Sequence, residues 1–164
     1  MPLADFSARL VAYIIDVALV SVASIIVAVP AAIVLFRSLP DPNDFAYDDS
    51  PRRLLTEFVA PVLLFEAGLF VLILVAYYFY AVEYMHRSGQ TLGKKAMKIR
   101  IVPLDPARKL TRGMAARRYL VEYCAGALVP FLSYLDGLWQ LWDKPYQQTL
   151  HDKVARTVVV KVSA

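Results

Sequence analysis

The sequence is poor in cysteine, histidine and glycine: of 164 residues, one is cysteine, two are histidine and six are glycine. A single Cys124, set in an apolar stretch, excludes a disulfide framework and a thiolate metal site and reads as a small packing residue. The few glycines form no phosphate loop. Gln90-Thr91-Leu92-Gly93-Lys94 lacks the required spacing and reads as a helix start, with Thr91 able to cap and Gly93 permitting close packing. His86 and His151 have no ligand spacing. His151-Asp152 also lacks the second histidine, cysteine pair or strained serine that metal or hydrolase chemistry would use. Neither enzyme activity, a metal nor a cofactor is therefore expected. Charged residues make up 20%, against about a quarter in soluble domains.

Hydrophobic residues, by contrast, make up 59%, and the mean hydropathy is +0.49. Val17 to Phe36 carries no charge, and Phe58 to Val82 carries only Glu66. About 20 apolar residues in a helix cross roughly 30 Å of hydrocarbon, so spans are expected over about 8–36 and 57–84. Two such helices buried in a soluble core would leave too little polar chain to cover them. The first run is too long for a signal peptide, contains Asp16 and ends without an A-x-A pattern, so it reads as a retained anchor.

The net charge of +4 is unevenly placed. Between Arg37 and Glu57 there are five acids against three arginines, whereas His86 to Arg118 holds ten Lys and Arg against Asp105. Basic residues beside spans favour the cytoplasm, which places 86–118 and the N-terminus inside and the first loop outside. That loop, Pro40 to Asp44 and Asp48 to Pro51, reads as turns and irregular chain. The basic segment suits anionic lipid headgroups as its partner; no nucleic-acid module is visible. Tyr77, Tyr78, Phe79, Tyr80, Tyr84, Trp139, Trp142 and Tyr146 fall at span ends, where aromatic side chains anchor. Ala23, Ser24, Ala28, Ala31 and Ala32 would allow tight helix packing.

Residues 90–102 (QTLGKKAMKIRIV) align without gaps with 148–160 (QTLHDKVARTVVV). Gln90, Thr91, Leu92, Lys95 and Val102 match Gln148, Thr149, Leu150, Lys153 and Val160, suggesting two copies of a short helix leading into a strand. The strands, Lys98 to Pro103 and Thr157 to Val162, would pair as a small cytoplasmic sheet. Residues 119–142 contain Glu122, Pro130 and Asp136 and are too short for two spans. If both repeats are cytoplasmic, this stretch is a Pro130-broken re-entrant hairpin; as a third span it would put the tail 143–164 outside. The expected fold is thus an all-α membrane domain over 1–164, with two transmembrane helices, a hairpin or third span, and two short strands.

Phe6-Ser7-Ala8-Arg9 through Asp16, then Gly89-Gln90-Thr91-Leu92-Gly93-Lys94, then Gln148-Thr149-Leu150-His151-Asp152-Lys153 together resemble the RDD family of bacterial membrane proteins, named for one arginine and two aspartates. The resemblance covers nearly the whole chain. It implies that Arg9 and Asp16 are the first two signature residues and Asp152 the third, with Asp136 as the other candidate. It also implies a cell inner (plasma) membrane location, and transport of unidentified ligands has been suggested for the family.

Intramembrane acids cost about 2.5–3.5 kcal/mol at the bilayer centre and need partners. Arg9 and Asp16, two turns apart, share one helix face. Convergence of Asp16, Glu66 and Asp136, with Glu122 nearby, would make a cation or proton site. Alternatively, Arg9 with Arg117 or Arg118 neutralises Asp16 and Asp152 as a structural clamp. Two functions follow. One is a small transporter acting through buried carboxylates, as a homo-oligomer; the other is a non-catalytic accessory or assembly subunit of a larger membrane complex.

Overall fold

A computed structural model describes residues 1–41, 43 and 50–162. The turns expected between Pro40 and Pro51 therefore fall largely outside the described residues. Near their start, the Asp41 carboxylate accepts from the Asn43 backbone and side-chain amides, both at 2.8 Å. That is the local turn an aspartate favours.

Two long helices dominate. Helix α1, Phe6–Ser38, contains Pro30, and α2, Pro51–Ser88, starts with Pro51 in its first turn, where a missing N–H costs no intrahelical bond. Both are long and apolar enough to cross a membrane, and neither has a buried residue in its most apolar stretch. They exceed the expected spans by a few residues at each end. Two π-helical turns, Leu55–Val59 and Phe79–Tyr84, interrupt α2. Gly89 ends it at φ +72°.

The chain divides into two compact units. Ser21–Ile73 forms one, made of the far end of α1 and the near part of α2; its polar contacts include the Arg53–Glu57 pair, one turn apart at 3.1 Å. The other comprises Met1–Val20 and the chain from Leu74 onward, and holds all the remaining elements.

In this second unit, helix α3 (Leu92–Ala96) leads into strand β1 (Ile99–Pro103). Helix α4 runs over 112–128 with a π-helical turn at Leu120–Ala125. Helix α5 is Leu132–Trp139, and α6 (Leu150–Ala155) leads into β2 (Thr157–Lys161). Between α4 and α5 the chain turns at Pro130. Val129 is extended, as a residue before proline must be, and Phe131 has φ +64°. Ser133 then donates to the Gly126 carbonyl at 3.2 Å, holding the start of α5 against the end of α4. Its tip exposes Leu128, Phe131 and Tyr134, each more than 70% accessible.

The strands pair antiparallel, with Ile101 opposite Val159. Those two residues are also equivalent in the repeat, so a local two-fold axis passes between them. The symmetry extends well beyond the strands. Gln90 and Gln148 each donate a side-chain amide at 2.8 Å to the carbonyl nine residues on, Ile99 and Thr157. Thr91 and Thr149 are the N-caps of α3 and α6. The equivalent pairs Gly89/Gln147 and Lys98/Arg156 all take positive φ. Ile99, Ile101 and Val159 point into a core with Ala12, Val82, Met85, Ala115 and Tyr119. The N-terminal residues close the free edge of β2: the Ala4 amide donates to Val159, and Lys161 to Pro2, both at 2.9 Å.

Candidate functional site

Arg9, Ala12 and Asp16 form the buried face of α1, spaced by one turn each as helical periodicity requires. Asp16 is 2% exposed and fully engaged. Its Oδ1 accepts from the Tyr80 hydroxyl at 2.5 Å and the Gly93 amide at 2.7 Å; its Oδ2 accepts from the Thr91 hydroxyl at 2.5 Å. Lys94 Nζ stands 3.7 Å away. Tyr80 in turn accepts from the Leu92 amide at 2.9 Å. The carboxylate therefore satisfies the Gly93 amide that α3 leaves unpaired in its first turn, Tyr80 takes the Leu92 amide, and α3 is tied to α1. The π-helical turn in α2 carries Tyr80.

Two guanidiniums meet Asp152. Arg118 Nη1 pairs with Oδ1 and also donates to the Thr157 hydroxyl at 2.6 Å; Arg9 Nη1 lies 3.5 Å from Oδ2. Arg9 also reaches the carbonyls of Ala4, Gln147 and Val159. Asp152 closes a capping box with Thr149, each side chain accepting from the other's amide. Burial pushes the Asp152 carboxyl up, but Arg118, His151 and Arg9 outweigh it and hold the group below the usual carboxylate range. One side chain thus joins α1, α4, α6 and β2.

The third buried acid, Asp136 on α5, accepts from His151 twice: from the backbone amide at 2.8 Å and from Nδ1 at 2.6 Å. With Asp136 as a carboxylate, which only accepts, Nδ1 is the donor in that bond. The other ring nitrogen, Nε2, is 3.9 Å from Glu122 Oε2 on α4. His151 is the repeat counterpart of Gly93. The two equivalent amides are each held by an aspartate from elsewhere in the chain, Asp16 in the first copy and Asp136 in the second.

A cavity of about 570 Å³ opens between α1, α4 and α5. Glu122, His151, Asp136, Asp152, Arg118 and Arg9 contribute polar walls, and Phe6, Leu10, Tyr13 and Leu138 apolar ones. Asp16 does not line it. The three carboxylates expected to converge are thus distributed: Asp136 faces the cavity, Asp16 sits in its own cage, and Glu66 belongs to the other unit. Glu66 is exposed on α2 and has no hydrogen-bond or ion-pair partner among the described residues. Arg9, Asp16 and Asp152, the residues expected to carry the signature, are all buried. Arg9 pairs with Asp152 rather than with Asp16, and Arg118, not Arg117, supplies the second guanidinium.

Sequence reasoning missed Tyr80, Thr157 and the His151 bridge. Tyr80 read only as an interfacial aromatic. The cue for His151 was the acid on either side of Pro130, Glu122 and Asp136, which the bend brings to one imidazole. Within the described residues, no group of three metal-type side chains is assembled to hold an ion. Replacing the cap, Thr149→Ala, should lower stability by about 1–2 kcal/mol, read from thermal unfolding in detergent.

A family model described as the RDD family matches residues 3–156. No curated protein matches the chain. No solved structure matches it either.

Proposed function

Because the chain belongs to the RDD family, whose members are membrane proteins, we propose that it is a small multi-pass protein of the cell inner membrane that moves protons, or a cation in exchange for them. The observation that carries this reading is His151, hydrogen-bonded to Asp136 at one ring nitrogen and within ion-pair range of Glu122 at the other, on a cavity wall. An imidazole between two acids accepts a proton at one nitrogen and releases one at the other. A proton reaching Glu122 passes to Nε2 while the Nδ1 proton passes to Asp136 Oδ2. Asp136 is already oriented, because its Oδ1 is held by the His151 amide. Asp16, occupied by three donors and outside the cavity lining, acts as a clamp.

The proposed topology has the N-terminus, both repeats and the tail on the cytoplasmic face. Pairing of β1 with β2, and of residues 2–4 with β2, supports this, because paired strands share one side. Residues 119–142 then enter and return as a hairpin whose apolar tip is Leu128 to Tyr134. The other cytoplasmic contact is an anionic headgroup layer along 86–118.

The test is proton flux into vesicles reconstituted with purified protein and loaded with a pH-sensitive dye, after an imposed pH step with potassium and valinomycin. Wild type should exceed empty vesicles, and His151→Gln and Glu122→Gln should each reduce the excess at least about tenfold. Equal rates in wild type and both variants, at equal protein incorporation, would refute the proposal.

One observation favours a second reading, an accessory or assembly subunit without enzyme activity. Glu66, exposed on an apolar helix, costs about 2.5–3.5 kcal/mol in lipid unless another chain pairs with it. A homo-oligomer or a larger membrane complex would supply that partner. Loss of a native assembly on Glu66→Gln, with no flux in wild type, would favour this second reading.

A further inference from the structure

On the outer face of the small sheet, opposite its core side, lies a groove of about 620 Å³. Its floor is apolar: Val102, Val158 and Val160 come from alternate positions of the paired strands. Its rim is cationic, with Arg87, Arg100, Arg108 and Lys109, and among the described residues no acidic side chain lines it. Arg108 is paired with Asp105 at 3.2 Å, whereas Arg87, Arg100 and Lys109 have no acidic partner among the described residues. Three uncompensated cations over an apolar floor favour a ligand that is anionic at one end and apolar at the other.

The Arg100 side chain is packed along its stem, and its Nε is buried with no hydrogen-bond partner among the described residues. Gly89 leaves the space in which its stem lies, since a Cβ there would stand 3.0 Å from Arg100 Cγ. A guanidinium held this way loses less freedom on binding a phosphate than one on a free stem. The groove also begins where the long apolar helix α2 ends, at His86 to Gly89. In a membrane-embedded chain that is the level of the lipid headgroups.

We propose that this groove is a binding site for one anionic phospholipid, its phosphate held by Arg87, Arg100 and Lys109 and its apolar part lying over Val102, Val158 and Val160. The site rests on the membrane placement of α2 and is independent of the proton pathway at His151. It is more specific than a diffuse attraction of basic residues to a charged surface, because it is built at one place and other basic residues lie outside it.

Native mass spectrometry of the full chain in detergent, titrated with phosphatidylglycerol or phosphatidylcholine, tests it. Phosphatidylglycerol should bind with one-to-one stoichiometry and phosphatidylcholine more weakly. Arg100→Gln with Lys109→Gln should weaken phosphatidylglycerol binding about 30-fold, on the order of the attraction of two cations. A matched pair outside the groove, Arg117→Gln with Lys144→Gln, should change it less than about threefold. Arg87→Gln, at an exposed position, gives the same direction in a variant whose folding is not at risk. Equal losses from groove and control pairs would overturn the proposal, as would equal binding of the two lipids. Displacement of the lipid by millimolar inorganic phosphate would assign the site to a soluble phosphate instead and overturn the lipid assignment.

Discussion

Asp152→Asn is expected to be among the most damaging single substitutions in the chain, costing about 3–5 kcal/mol of stability. The carboxylate is 1% exposed and neutralises two guanidiniums that are themselves buried, Arg118 at 3% and Arg9 at 9%. Removing its charge leaves both cations without compensation in a region of low dielectric, which is the costly way to break a buried pair. The amide would keep the contact with Thr157 and part of the capping box, but not the balance of charge. In a chain of this size the loss corresponds to a fall in melting temperature on the order of 10 °C, measurable by fluorescence in detergent. Asp105→Asn provides the contrast. Its pair with Arg108 is largely exposed, so the loss should stay within about 1 kcal/mol. A melting temperature unchanged by Asp152→Asn would show that the triad is not a clamp.

The same residue sets a pH dependence. The folded-state carboxyl titrates below its ordinary range, so its contribution is fully present above the unfolded value near pH 4. It is lost progressively as pH falls below that value, when the unfolded chain takes up the proton first. Wild type should therefore lose stability progressively as pH falls below about 4, and that part of the acid dependence should be missing in Asp152→Asn.

Gly93→Ala should be comparably severe, by a steric route. A Cβ at this position would overlap the backbone carbonyl of Ala12 and stand 2.8 Å from Asp16 Oδ1. A flexible side chain would move aside, but the backbone of α1 cannot without shifting the helix. Overpacking of this kind costs about 1–3 kcal/mol. Displacing Asp16 from the Thr91, Tyr80 and Gly93 donors adds about 1–3 kcal/mol for buried polar groups left unmatched. Gly68→Ala and Gly137→Ala meet nothing within 4 Å and sit inside helices, so they should be neutral or slightly stabilising. Unfolding curves of the three variants side by side separate close packing from a general effect of losing glycine. A Gly93→Ala protein as stable as wild type would mean that α1 and α3 are not in the contact described.

The two apolar helices were legible in the sequence because the bilayer-length criterion needs only composition. So was the paired sheet, because a repeat of thirteen residues carries its own symmetry: matched glutamines, matched threonine caps and strands at matched ends. The bend at Pro130 was legible from the proline and from the shortage of residues for two spans. What could not be read were contacts between distant segments. Arg9 and Asp152 are separated by 143 positions, and nothing in either neighbourhood says that they meet. Arg9 and Asp16 share one face of α1 in the sequence, but that face is long enough for each residue to serve a different copy of the repeat. His151 was discounted for lack of a local partner. Its partners, Asp136 and Glu122, come together only because the chain bends between them. Asp136 read as a lesser candidate for the signature, and the repeat geometry makes it the counterpart of Asp16.

The proposed proton pathway and topology require the two repeats, the N-terminus and the tail to lie on one face of the membrane, with residues 119–142 dipping in and returning. The most direct measurement is the labelling of single cysteines, in a Cys124→Ser background, from each side of intact cells. The positions are Asn43 in the first loop, Ala107 after β1 and Val162 after β2. The account predicts that Ala107→Cys and Val162→Cys react only with a reagent that enters the cell, whereas Asn43→Cys reacts with one that does not. Reaction of Val162→Cys from the outside would make 119–142 a third span, separate the two strands and contradict the account.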